Sequence, residues 1–121
     1  MKLKECSQYI TAELIRQYAA LTNDYNPIHI DPDFAATTPA GTIIAHGTLS
    51  VNLIWQSLAY SLGAAHLDDG ILDIRFVAPV RIGDTITAGG CVLADRADAY
   101  DVWAMNHKGE KTITGTFSYR S

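Results

Sequence analysis

The sequence predicts an α+β domain in which an antiparallel sheet wraps around one buried helix. Two observations support this prediction. Residues 48–62 are apolar on nearly every side, which is typical of a helix that lies inside a protein. After Gly70 the apolar residues recur at every second position instead of at helical spacing, which indicates strands. Helices followed by a run of antiparallel strands form an α+β domain, and its sheet must cover the apolar helix.

Two further helices are predicted before the buried one. Residues 11–21 carry apolar side chains at helical spacing, and Thr11 is placed to cap the helix at its N-terminus. Residues 22–41 are rich in Asn, Asp and Pro and are predicted to be mostly loop. Within this loop, Asp31 followed by Pro32 indicates the start of a short helix that runs to residue 36.

Alternating apolar and polar residues predict four strands, at residues 72–76, 85–93, 100–106 and 111–119. A turn at residues 107–110 joins the last two strands into a hairpin, and the flexible pair Gly89-Gly90 is predicted to mark either a bulge or sharp coiling of its strand. The segment before Thr11 is weakly patterned and predicts at most a short first strand. A sheet of four or five strands leaves open edges, so we expect a second copy of the chain to cover them in a homodimer.

Length and composition favour one mildly acidic domain spanning residues 1–121. Nine Lys and Arg against thirteen Asp and Glu give a net charge of −4, and no basic stripe suggests nucleic acid as a partner. We expect no membrane association, since there is neither a signal-peptide core nor an apolar run near the ~20 residues that span a bilayer. Cys6 and Cys91 lack the spacing of a disulfide framework or a zinc site. A cytoplasmic location is expected.

The densest polar cluster lies between the first helix and the buried one. Asp24 and His29 are five residues apart, and Pro27 between them fixes its own backbone angle, so the turn can direct both side chains toward one water molecule. Gly47 stands at the start of the buried helix, where free backbone N–H groups favour negative charge and the missing side chain allows close approach. We expect His46 to have a structural role.

A metal site is not expected in this region. The potential ligands of the segment follow neither the EF-hand loop nor the HExxH pattern; they are Asp24, Asn26, His29, Asp31 and His46. Asn26 is better explained as a residue that ties the turn together, and Asp31 as a helix cap.

Three segments between the first helix and the buried one form a pattern: Asp-Tyr-Asn-Pro-Ile-His-Ile-Asp at residues 24–31, Phe34-Ala35, and Ile-Ala-His-Gly at residues 44–47. This pattern resembles the hydratase motif of the MaoC-like, (R)-specific enoyl-CoA hydratases. The resemblance continues through Phe76, Pro79 and Gly83-Asp84 and covers most of the chain from Thr11 onward. It implies the hot-dog fold, a homodimer, and reversible syn hydration of a trans-2-enoyl thioester. The thioester would be carried by coenzyme A or an acyl carrier protein.

The resemblance also implies residue roles. Asp24 and His29 would be the catalytic pair, and the Gly47 amide would bind the thioester carbonyl. This agrees with the chemistry, which needs a base to polarise water, an acid to protonate C2 and fixed donors for the developing oxyanion, but no metal or organic cofactor. Asn23 stands where the family commonly has Gly. Trp55 stands where smaller side chains often border the acyl tunnel, so we expect it to shorten the pocket and select short acyl chains.

Two other functions compete with hydration. A thioesterase is possible on the same fold, because fold alone does not determine the reaction. Thioesterases of this fold commonly carry an acidic catalytic residue on the central helix, whereas residues 48–62 contain neither Asp nor Glu. The second alternative is a non-catalytic acyl-binding subunit that pairs with an active hydratase, and the intact Asp24 and His29 argue against it.

Overall fold

The computed structural model describes residues 1–119, which form a five-stranded antiparallel sheet packed against a long helix. The strands are β1 (Cys6–Tyr9), β2 (Gly70–Phe76), β3 (Thr85–Leu93), β4 (Arg96–Met105) and β5 (Lys111–Tyr119). The helices are α1 (Ala12–Thr22), α2 (Pro27–Ile30), α3 (Pro32–Ala35) and α4 (Gly47–Leu62), and a 3₁₀ turn follows at Ala64–His66. The strand order is β1-β3-β4-β5-β2. The predicted α+β class and hot-dog fold are confirmed.

Helix α4 forms the centre of the core. Its Ile54 and Leu58 are completely buried, as are Ile86 of β3 and Phe117 of β5 on the sheet. Burying one such aliphatic or aromatic side chain contributes about 1.5–3 kcal/mol. The helix is less apolar than predicted, because an exposed stripe runs along it at every fourth residue, formed by Thr48, Asn52, Gln56 and Tyr60.

Helix α1 ends in a sharp reversal of the chain that leads into the polar cluster. At its start, the Thr11 side chain accepts a hydrogen bond of 3.0 Å from the Leu14 N–H, which confirms the predicted cap. At its end, Asn23 adopts left-handed angles (φ 54°, ψ 38°), the sole positive φ of a non-glycine residue within residues 1–119. Asn tolerates this conformation better than most residues do, which explains how it can replace Gly here.

Several element boundaries differ from the sequence-based prediction. The four-residue helix α2 was not predicted, because a single turn gives no periodic pattern. Strand β4 begins at Arg96 rather than at residue 100, since a tight turn joins it directly to β3. The N-terminal strand is present as the short edge strand β1.

Of the two alternatives predicted for Gly89-Gly90, the bulge is wrong. Both glycines pair regularly with β4, and the irregularity of this ladder lies between Val92 and Leu93. A Cβ atom on Gly90 would collide with the carbonyl oxygen of Asp101, so the close approach of the neighbouring strand explains the absence of a side chain there.

No helix within residues 1–119 is both long and apolar enough to cross a bilayer. The two cysteines are free thiols, Cys6 buried and Cys91 exposed. Burial raises the pKa of the Cys6 thiol, as expected of a cysteine that serves as a small packing residue.

Candidate active site

The turn between α1 and α2 fixes the positions of Asp24 and His29. An Asp24 carboxylate oxygen accepts a hydrogen bond of 3.3 Å from the Asn26 N–H. The Asn26 side chain in turn caps α2 by accepting a bond of 3.2 Å from the Ile28 N–H, and Pro27 occupies the first helical position. Asn26 therefore ties the turn together, as predicted, and the single turn of α2 carries His29 to the same side as Asp24.

One ring nitrogen of His29 is committed to the backbone. Its Nδ1 lies 2.7 Å from the carbonyl oxygen of Ile44. A carbonyl oxygen can only accept a hydrogen bond, so Nδ1 must carry the proton and donate it. In the neutral ring this leaves a lone pair on Nε2, which makes that nitrogen the atom available for proton transfer.

His46 holds the Asp24 turn against the start of α4. It is buried, and its Nε2 lies 3.0 Å from the backbone oxygen of Asp24, so Nε2 is the donor. Its ring stacks on that of His29, with centroids 3.8 Å apart and planes inclined by 24°. The contacts agree with the structural role predicted for His46, because they fix the positions of both members of the predicted pair.

Asp24, His29 and His46 each bring one potential ligand atom to within 4.8 Å of the other two. The arrangement nevertheless suits a metal ion poorly. Each imidazole already donates to a backbone carbonyl, and the remaining lone pairs of two nearly parallel stacked rings cannot converge on one ion at about 2.0–2.1 Å. A bridging water fits the separation better, since it needs only hydrogen-bond contacts to the carboxylate and to His29.

A cavity of about 550 Å³ lies beside this cluster, between the start of α4 and the ends of β2 and β5. Its polar wall includes the side chains of His29, Ser50 and Thr112 and the backbone of Gly47, and most of the remaining wall is apolar. Asp24 is exposed and lies next to His29 rather than on the cavity wall. The predicted pair thus lies together at one end of a largely apolar cavity that reaches Gly47.

Gly47 meets the cavity at the first residue of α4. A Cβ atom at this position would lie 2.7 Å from a ring carbon of Phe76, which also lines the cavity. Helix N-termini present unsatisfied backbone N–H groups and a partial positive charge. The Phe76 ring therefore explains the absence of a side chain at Gly47, and the contact of the Gly47 N–H with a thioester oxygen stays a prediction.

Trp55 is a core residue rather than part of the cavity wall. It packs edge-on against Phe117, with ring centroids 5.8 Å apart and planes at 84°, and it is not among the described residues that line the cavity. Its contacts are those of a core residue. Its predicted role in shortening the pocket therefore has no support from its position.

Sequence reasoning did not identify three contributors to the site. The Ile44 carbonyl that orients His29 is backbone and leaves no sequence signal. Phe76 was noted only as part of a strand pattern and a resemblance, although its ring lies against Gly47. Ser50 is one of several polar residues of α4, so only its position three residues after Gly47, on the same helix face, could have drawn attention to it.

Comparison with known proteins bears directly on this site. A family model described as MaoC like domain matches residues 2–112. The (R)-specific enoyl-CoA hydratase of Rhodospirillum rubrum is 45% identical over 74 residues, which cover 59% of this chain and 49% of that protein. The 3-hydroxybutyryl-CoA dehydratase of Methylorubrum extorquens is 44% identical over 72 residues, 57% of this chain and 44% of that protein. The chain therefore spans about half the length of these two curated relatives.

Other relatives match over more of their length. The (R)-specific enoyl-CoA hydratase of Aeromonas caviae is 38% identical over 95 residues, which cover 76% of this chain and 69% of that protein. The solved structure of the A. caviae (R)-hydratase superposes with a TM-score of 0.76 at 28% identity and covers 99% of this chain and 95% of its own. The unliganded R-hydratase PhaJ1 of Pseudomonas aeruginosa gives a TM-score of 0.77 at 28% identity, covering 100% of this chain and 81% of its own.

Proposed function

The chain belongs to the MaoC-like dehydratase family, and we propose that it catalyses the reversible hydration of trans-2-enoyl-CoA to (R)-3-hydroxyacyl-CoA. The observation that carries this proposal is the placement of Asp24 and His29. A carboxylate oxygen of Asp24 and a ring nitrogen of His29 lie within 4.8 Å of each other, beside a cavity that reaches the N-terminus of α4. That placement matches the needs of adding water to a conjugated thioester.

The start of α4 would bind the thioester. With the thioester oxygen against the Gly47 N–H, the helix end faces the atom on which negative charge develops during the reaction. The acyl chain would follow the apolar wall of the cavity, to which Phe76 and Pro79 contribute. This orientation brings C2 and C3 of the acyl group toward His29.

Asp24 and His29 would hold the reacting water between them. The water oxygen forms a bond to C3, the C2=C3 electron pair moves through the conjugated system onto the thioester oxygen, and one water proton passes to the pair. The resulting enolate collapses when the pair returns a proton to C2 on the same face. His29 can take part through Nε2, since Nδ1 is held by the Ile44 carbonyl.

Each chemical task thus falls to a group of this chain, so we propose a reaction without a metal or organic cofactor. The names of the relatives support a coenzyme A thioester as substrate, and the M. extorquens protein is named for a four-carbon acyl group. We therefore propose short acyl chains, now on the basis of this relative rather than of Trp55. An acyl carrier protein is an alternative carrier for the same thioester.

Incubation with crotonyl-CoA tests the reaction class. We expect loss of the enoyl thioester absorbance without release of free thiol, and chiral analysis should identify (R)-3-hydroxybutyryl-CoA. Free thiol would instead indicate a thioesterase, and unchanged absorbance would indicate a non-catalytic acyl-binding subunit. The absence of Asp and Glu from α4 favours hydration over hydrolysis.

A panel of longer enoyl-CoA substrates measures chain preference, and faster turnover of long chains would contradict the short-chain proposal.

We further propose that the chain works as a homodimer. Large apolar side chains are exposed at the end of β2 and in the loop after it. The exposed fraction is 60% for Phe76, 53% for Val77 and 43% for Ile82. Strand β2 is also an edge strand of seven residues. A second copy would cover apolar surface and an open sheet edge together.

Light scattering coupled to size-exclusion chromatography tests the dimer. We expect twice the mass of the chain over a wide range of protein concentration. Full specific activity in a species with the mass of a single chain would contradict the proposal.

A further inference from the structure

Ser50 is a buried polar residue that the fold leaves without a partner. It is 2% exposed, and its Oγ makes no hydrogen bond within residues 1–119. A serine inside a helix commonly bonds back to the carbonyl four residues earlier, which for Ser50 is that of His46, but this bond is absent. Leaving a buried hydroxyl unpaired costs free energy, so such a group calls for an explanation.

The position of Ser50 suggests that explanation. It lines the same cavity as Gly47 and lies three residues further along α4, which places both on neighbouring positions of one helix face. Side chains of a helix point back toward its N-terminus, so the hydroxyl of Ser50 leans toward the turn that begins at Gly47.

We propose that Ser50 is a further catalytic residue, whose hydroxyl donates a second hydrogen bond to the thioester oxygen beside the Gly47 N–H. This inference rests on the proposed hydratase function and assigns a substrate contact within it. The charge on that oxygen is greatest in the enolate, so the bond strengthens as the reaction proceeds and stabilises the transition state more than the bound substrate. The Oγ that is unpaired in the free protein thereby gains its partner when substrate binds.

Ser57 on the same helix provides a matched control. It is as deeply buried, at 1% exposure, but its Oγ donates to the backbone oxygen of Lys4 and it does not line the cavity. Ser50→Ala removes an unpaired hydroxyl, so the unfolding temperature should stay unchanged or rise. Ser57→Ala leaves the Lys4 carbonyl without its donor, so the unfolding temperature should fall while kcat is kept.

The kinetic test uses crotonyl-CoA hydration. Loss of one oxyanion donor typically lowers kcat by about 10²–10³-fold, and for a donor that supplements a backbone amide we expect Ser50→Ala to lower kcat at least 10-fold with little change in KM. Activity of Ser50→Ala within twofold of the unaltered protein would overturn the inference. The inference would also be overturned if Ser50→Ala kept its kcat and lowered the unfolding temperature as much as Ser57→Ala does.

A second measurement separates this inference from the proposed function. Acetoacetyl-CoA ionises to an enolate that absorbs in the near ultraviolet, so its absorbance reports how strongly a site stabilises an enolate oxygen without any turnover. We expect saturating protein to increase the enolate absorbance, and Ser50→Ala to reduce this increase while Ser57→Ala retains it. A protein that hydrates neither crotonyl-CoA nor the longer enoyl-CoA substrates yet shows this difference disproves the hydratase function and supports the Ser50 contact. Equal enolate absorbance with the unaltered protein and Ser50→Ala would overturn the contact.

Discussion

Replacing Asp24 with Asn should lower kcat/KM for crotonyl-CoA hydration by roughly 10²–10⁴-fold, the usual contribution of general acid or base catalysis. The amide has nearly the same shape as the carboxylate and keeps an oxygen that can accept the Asn26 N–H. It cannot take up a proton from water. Because Asp24 is exposed and its side chain makes only this local bond among the described residues, circular dichroism and the unfolding temperature should change little.

His29→Ala should cause a loss of similar size, since it removes the Nε2 base. It also removes the hydrogen bond to Ile44 and the stacking on His46, so we expect a modest loss of stability of about 1 kcal/mol. Residues that act on the same water are not independent. The activity of the double variant of Asp24 and His29 should therefore be only slightly lower than that of the less active single variant.

The exposed carboxylate of Asp33 offers a control for charge. It lies in the first turn of α3, two residues beyond Asp31, and Asp33→Asn should retain full activity. If Asp24→Asn or His29→Ala is as active as Asp33→Asn in the steady-state assay, the assigned pair does not carry the reaction. Additive losses in the double variant would show that the two residues act in separate steps.

The local features of the site could be predicted because short-range chemistry determines them. The Thr11 and Asp31 caps follow from side chains that satisfy backbone N–H groups one turn away, and both are confirmed. Pro27 and Asn26 shape a turn whose geometry depends on a few neighbouring residues. The expectation that Asp24 and His29 lie together therefore required little knowledge of the rest of the fold.

Features that depend on distant packing could not be predicted in this way. Trp55 has the size to close a pocket, but the direction of its ring is determined by Phe117, which is 62 positions later in the sequence. The carbonyl that orients His29 comes from Ile44, across the loop. Gly90 was interpreted as a flexible point, whereas the neighbouring strand requires its lack of a side chain. In each case the outcome depends on tertiary contacts that the local sequence does not encode.

Replacing Gly47 with Ala should lower kcat/KM by about 10²-fold, comparable to the loss of an oxyanion donor, without loss of stability. Gly47 is the first residue of α4, where Ala is a better helix former than Gly. The new methyl group would come within 2.7 Å of the Phe76 ring, which is the far end of a side chain that can shift to make room. The methyl group then occupies the space beside the amide that the thioester oxygen needs.

Gly109→Ala gives the opposite pattern and serves as the comparison. Gly109 has a φ of 81° in the turn between β4 and β5, with open space around its Cα, so Ala there strains the backbone without touching the cavity. We expect a lower unfolding temperature with unchanged kcat/KM.

Combining Gly47→Ala with Phe76→Ala removes the steric conflict between the methyl group and the ring. Activity of the double variant equal to that of Phe76→Ala alone would show that Gly47 only accommodates Phe76, whereas activity well below that of Phe76→Ala alone places the thioester oxygen at the helix N-terminus.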